Sequence, residues 1–310
     1  MIDALLLLMA LIWGTNYSVI KAAFRELDPQ AFNALRMVIA SVAFLAVIGT
    51  LQLRPLHAAG GIATIFQTPT RVSRRDVIEL IVLGVIGHFL YQYFFIGGLA
   101  LTTVANSSLL LAATPVVIAL LSAALGQERV GLRHSIGALL SMAGIYVVIG
   151  QNVTLHGRGV KGDLMMVAAV ICWAIYTLGA RRLVSRHSPV GVTGMSMAIG
   201  TLLYVPVMWP HVSRVSWSTL SVQAWLSTFY SAIFALGVAY TIWYAAVRQI
   251  GSARTSVYSN IIPLVAMATA VLFLGEPLTV TQAAGAATVL VGVALTRTTP
   301  AQRTADPCEP

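Results

Sequence analysis

Long apolar runs, broken by short polar stretches, set the rhythm of this chain. A run such as VVIALLSAAL (116–125) lacks the apolar–polar alternation of a barrel strand. Apolar stretches of about 20 residues cross a bilayer as helices, at about 1.5 Å per residue. Ten fall at 4–23, 31–51, 77–98, 103–125, 134–150, 163–182, 190–209, 223–247, 253–274 and 281–296. The pattern predicts an all-α integral membrane protein of ten transmembrane helices. Most connections are short. Residues 52–76, basic and containing Gly, Pro and Thr, read as a mobile loop. The start, Met1-Ile2-Asp3 followed by ALLLLMALIW, carries an acid where a secretory signal carries bases, so it reads as a retained first span.

Composition sharpens this. Length alone would suit about two soluble domains. Only 9% of the 310 residues are charged and 58% are hydrophobic, whereas a soluble domain is about a quarter charged. The net charge of +9 then suggests cytoplasmic loops rather than a nucleic-acid partner, because Lys and Arg collect on that side. With the N-terminus inside, 13 basic residues fall on the cytoplasmic side and five outside, with Arg36 within the second span. Both termini are therefore expected in the cytoplasm. Cys172 and Cys308 are too few and too far apart to suggest a disulfide framework.

One pattern occurs twice. Pro115 and Glu128 stand 13 residues apart, and so do Pro263 and Glu276. A shift of 148 residues carries the first pair onto the second, and Ala105 onto Ala253, Ser108 onto Ser256, Gly137 onto Gly285 and Gly144 onto Gly292. A shift of 160 carries Asp3 onto Asp163, Trp13 onto Trp173, Lys21 onto Arg181 and Pro29 onto Pro189. The long loop absorbs the difference. The chain thus divides into a first five-helix repeat (1–150), a linker (151–162), a second repeat (163–297) and a tail (298–310). An odd helix count per repeat inverts one half relative to the other, the arrangement of secondary transporters that bind substrate near the midplane. Each proline removes a backbone hydrogen bond within its helix, which frees the carbonyl of Leu111 or Ser259. It is either a helix kink for packing or a point of substrate contact. The glutamates, at opposite faces, read as helix-end caps or pairs rather than proton carriers.

WGTNYSVIKAAFRELDPQAFNALR, the duplicated Pro-x12-Glu, and the helices SIGALLSMAGIYVVIG and AAGAATVLVGVALTRT resemble the drug/metabolite transporter superfamily. The similarity is to its EamA-type ten-helix members, covers about 4–297, and is closest to bacterial aromatic amino-acid exporters of the YddG type. It implies a basket of ten helices in a bacterial inner membrane. Spans 1, 3, 4, 6, 8 and 9 would line a central cavity, and spans 5 and 10 would pack outside.

Polar and aromatic side chains in spans face the interior or the interfaces. Trp13, Asn16 and Tyr17 share a face of span 1. His88, Tyr91, Gln92 and Phe95 share one on span 3, at helical spacing. Span 6 offers Trp173, Tyr176 and Thr177; span 8 offers Tyr240, Trp243 and Tyr244; span 4 offers Asn106, Ser107 and Ser108, and span 9 offers Ser256, Ser259 and Asn260. Tyr240, Trp243 and Tyr244 could equally form an interfacial belt, and His88 could be a structural histidine. Arg36, about five residues into its span, reads as snorkelling or paired structurally.

No Asp or Glu falls near mid-membrane, so no carboxylate proton relay is visible, and His88 is the one deep group that titrates near neutral pH. No deep cluster of Lys or Arg argues for phosphorylated substrates. Rings can stack on a substrate or take a cationic amine over a face, while Asn, Gln and Ser can hold a carboxylate. The expected function is export of small neutral metabolites, aromatic or other apolar amino acids first, by alternating access. A broader exporter of drug-like or nucleoside-type compounds is the neighbouring reading. An intramembrane enzyme is the distant one: H-E-x-x-H, G-x-S-x-G and the P-loop pattern are missing. No cofactor or metal is expected. The partners are a small-molecule substrate and the lipid bilayer, and symmetry within one chain is compatible with a working monomer.

Overall fold

A computed structural model describes residues 2–53, 63–67, 70–126, 136–137, 139–140, 143–144, 147, 158–275 and 279–297. Among them the chain is helical without strands. Eight helices are long and apolar enough to cross a membrane. The first are α1 (Ile2–Ala23) and α2 (Pro29–Leu53). Next come α3, built from Arg74–Leu83, a π-helical stretch Gly84–Leu90 and Tyr91–Leu101, and α4, from Val104–Leu111 and Thr114–Ala124. Then follow α5 (Arg158–Val184) and α6 (Pro189–Val207). In α7, Val222–Tyr230 and Ala239–Ile250 flank a second π-helical stretch, Ser231–Val238. In α8, Ser252–Val257, the 3₁₀ turn Tyr258–Ile261, Ile262–Thr269 and a π turn Ala270–Leu274 follow one another. A shorter apolar helix, α9 (Val280–Arg297), comes last.

These correspond to nine of the ten expected spans. The expected span at 134–150 lies largely outside the described residues, as do Glu128, Glu276 and Cys308. The expected loop 52–76 is trimmed at both ends and carries a short helix, Ala63–Phe66. At its end α3 begins at Arg74 because Ser73 and Asp76 form a reciprocal capping box, which satisfies backbone N–H groups that a helix start leaves open. Ser188 caps α6 and Ser221 caps α7 one way only, each hydroxyl accepting from the backbone N–H three residues on.

Helix–helix contact in lipid depends on small residues that let backbones approach. A Cβ at Gly87 would sit 2.3 Å from the Tyr176 ring, and one at Gly14 would sit 2.5 Å from Val265 Cβ. Glycine is therefore what lets α3 close on α5, and α1 on α8. The π stretch of α3 packs on α6, and the π stretch of α7 on α2. Two ties join helix starts to distant turns. Asp76 accepts from Arg186 at 2.7 Å and pairs with His187 at 3.2 Å. Glu26 accepts from the Ser221 hydroxyl at 2.7 Å and from its N–H at 2.9 Å.

Candidate functional site

A small cavity of about 40 Å³ lies among α1, α2, α3, α4, α5, α7 and α8. One wall is aromatic. Trp13 meets Trp173 edge to face at 5.6 Å between centroids, and Tyr240 likewise at 5.7 Å. Tyr91 lies 5.0 Å from Trp173 and stacks on Phe95 at 5.6 Å, and Tyr17 caps Phe95 edge-on. Such offset and edge-on pairs suit the ring quadrupoles. Trp13 Nε1 donates to the Ala235 carbonyl at 2.9 Å, within the π stretch of α7.

The other wall is polar, and its centre is Arg36. The side chain is 1% exposed. Its Nε donates to Asn33 Oδ1 at 2.7 Å, Nη1 to Ser231 Oγ at 2.8 Å, and Nη2 to Gln92 Oε1 at 2.6 Å. Gln92 passes the chain on, donating from Nε2 to the Tyr240 hydroxyl at 3.2 Å. Snorkelling is therefore overturned. The guanidinium points inward because α2 packs on the π stretch of α7 and on the second half of α3. Charge near a helix end looks identical in sequence whichever way the side chain turns.

Ten of the expected residues line the cavity: Trp13, Asn16, Tyr17, Tyr91, Gln92, Phe95, Ser108, Trp173, Tyr240 and Ser259. The other expected residues, His88, Asn106, Ser107, Tyr176, Thr177, Trp243, Tyr244, Ser256 and Asn260, do not. His88, fully buried, bonds through Nε2 to the Tyr176 hydroxyl at 2.8 Å, and Tyr176 bonds Ser196 at 3.0 Å. Trp243 backs Trp13 at 5.5 Å and Trp173 at 5.6 Å, while Tyr244 packs on Tyr176 at 5.3 Å. Tyr240, Trp243 and Tyr244 are all at most 3% exposed, so an interfacial belt is excluded for them. The wider π turn over Gly84–Leu90 breaks the 3.6-residue phase that tied His88 to Tyr91. On α8 the 3₁₀ turn does the same: Ser259 lines the cavity while Ser256 and Asn260 do not, and Asn260 instead donates to the Val257 carbonyl at 3.0 Å.

Thr114, Leu111, Ala235, Leu236 and Ile262 also line the cavity, with no polar or aromatic signal strong enough to flag most of them. Leu111 and Ser259 are the residues four before the two prolines. Pro115 and Pro263 each stand at the second position of a restarted helical segment, after an interruption in the preceding turn. Three cavity side chains, Asn16, Tyr17 and Thr114, are at most 5% exposed. Their Oδ1, hydroxyl and Oγ1 atoms find no hydrogen-bond partner among the described residues.

Eight membrane-length helices among the described residues, with an aromatic-walled cavity between them, define a multi-pass membrane protein. The sequence pattern of the EamA-like transporter family matches residues 1–150 and again 160–298. The chain belongs to the EamA-like transporter family. An uncharacterized Bacillus subtilis transporter, YyaM, is 26% identical over 93% of this chain and 91% of its own. A probable amino-acid metabolite efflux pump of Salmonella typhimurium is 26% identical over 93% and 92%. A probable terminal-alkyne amino-acid exporter of Streptantibioticus cattleyicolor is 24% identical over 87% and 84%. A protein crystal structure with 21% identity superposes with a TM-score of 0.68, covering 94% of this chain and 96% of that one, which speaks to fold alone.

Proposed function

We propose that this protein is a secondary transporter of the bacterial inner membrane that exports small neutral metabolites, aromatic or other apolar amino acids first. The observation that carries the reading is the cavity itself: aromatic rings on one wall and buried hydrogen-bonding groups on the other suit an amphipathic molecule with a flat or apolar body. The names printed for the Salmonella and Streptantibioticus relatives agree with it.

Transport proceeds by alternating access between two inverted five-helix halves, 1–150 and 163–297, with both termini cytoplasmic. Three observations support a two-fold relation. The π stretches of α3 and α7 occupy positions 148 apart to within a residue. The helix interruptions before Pro115 and Pro263 correspond likewise. Positions related by the duplication also touch: Trp13 with Trp173, Ser41 with Thr201 at 2.8 Å, and Gln92 with Tyr240. Contacts between counterpart residues are what an axis relating the two halves would produce. Exchange of roles between halves then opens the same cavity to each side in turn.

The test is labelled tryptophan or phenylalanine exchange in liposomes loaded with the same amino acid, with and without a pH gradient. Saturable exchange above empty liposomes is expected. Its absence from folded protein overturns the amino-acid assignment and moves the search to the broader drug-like or nucleoside class.

A further inference from the structure

The cavity contains a permanent positive charge whose partners are all neutral. Arg36 keeps its proton at any relevant pH, and Asn33, Ser231 and Gln92 supply its acceptors. Phe32 lies beneath it, 5.7 Å from guanidinium carbon to ring centroid. Among the described residues no carboxylate lies within 4 Å of it; the acidic partners found are Asp76, Glu79 and Asp28, all near helix starts. Neutral acceptors orient a guanidinium without cancelling its charge, and an unpaired buried charge is costly. The three bonds engage three of five N–H groups, so Nη1 and Nη2 each keep one. The corresponding position of the second half carries no charge. The position 160 residues on holds Ser196, whose hydroxyl bonds Tyr176 at 3.0 Å and the Val192 carbonyl at 2.8 Å.

We infer that Arg36 is the carboxylate anchor of the cavity, so that its ligands carry one carboxylate. This rests on the transport reading above and narrows it. The guanidinium fork matches a carboxylate with two hydrogen bonds. A single cation balances a carboxylate and leaves a phosphate dianion in excess. The unpartnered buried acceptors Asn16 Oδ1, Tyr17 Oη and Thr114 Oγ1 line the same cavity and receive the ammonium of an amino acid, while the Trp13–Trp173 wall takes its side chain. Uncharged nucleosides and cationic drugs lack the group that neutralises Arg36.

The experiment is calorimetric binding to the purified full-length protein with matched pairs: phenylalanine against phenylalaninol, leucine against leucinol, 3-phenylpropionate against 3-phenylpropanol. The carboxylate member of each pair should bind roughly 30-fold tighter, and Arg36→Gln should erase most of that difference while Arg36→Lys keeps part of it. The wild-type comparison stands even if Arg36→Gln does not fold. Equal binding of acid and alcohol overturns the inference and leaves transport of apolar compounds intact. Binding of 3-phenylpropionate with the Arg36 dependence, but no amino-acid exchange, supports the anchor and overturns the amino-acid reading. No binding by either member of any pair overturns both.

Discussion

The indole of Trp13 stands edge-on to that of Trp173, with planes at 83°. The two positions are 160 residues apart, and each is the other's counterpart in the duplicated sequence. Around Trp173 gather Tyr91, Tyr176, Tyr240, Trp243 and Tyr244, all within 6.4 Å between centroids. One residue of the second half thereby organises rings from α1, α3, α5 and α7.

Trp173→Ala empties the centre of this cluster, and truncating a buried Trp costs about 3–5 kcal/mol. It should lower the melting temperature in detergent sharply. Trp173→Phe keeps a ring and should remain folded, losing edge contacts of about 0.5–1.5 kcal/mol each. Its KM for phenylalanine exchange should rise about tenfold. A Trp173→Phe protein with unchanged KM would separate the aromatic wall from substrate binding.

Gly87→Ala places a methyl 2.3 Å from the Tyr176 ring. The α3–α5 crossing must open, at a cost of about 1–3 kcal/mol. Gly49→Ala has nothing within 4 Å and should be neutral to within about 0.5 kcal/mol. Thermal melts of the two variants in one detergent compare them directly.

Pro263→Ala restores a backbone N–H at a helix interruption on the cavity wall. If the interruption is a hinge, substrate affinity stays as in the wild type while exchange slows several-fold. If it only shapes packing, turnover is unchanged and the melting temperature moves. Equilibrium binding and initial exchange rates on one preparation distinguish the two.

Glu26, in the turn between α1 and α2, has its carboxyl held below the usual value by the hydroxyl and N–H of Ser221. A depressed value in the folded state stabilises above the unfolded pKa of about 4.3 and loses that contribution as pH falls through the folded value. Wild type should therefore melt slightly higher than Glu26→Gln at pH 6, and the gap should narrow as the pH is taken below the unfolded pKa of about 4.3, read from paired melts across that range.

Much of the molecule was legible from the sequence because membrane burial is written in one dimension. Hydrocarbon demands unbroken apolar length, so α1 to α4 and α5 to α9 fall within a few residues of their expected limits. Trp13, Asn16 and Tyr17 declared a shared face because α1 keeps an uninterrupted helical period. His88 did not obey that logic, since the period changes within the π stretch beneath it.

The sequence by itself determined an apolar helical membrane chain, its duplication, and most of the aromatic side of the cavity. These depend on local length, spacing and residue type. Only the tertiary structure decided which way Arg36 turns and which rings form the first wall and which the second. An arginine near a helix end reaches water or the interior with equal ease until neighbouring helices fix the acceptors, and here Ser231 and Gln92 arrive from α7 and α3, 195 and 56 residues away.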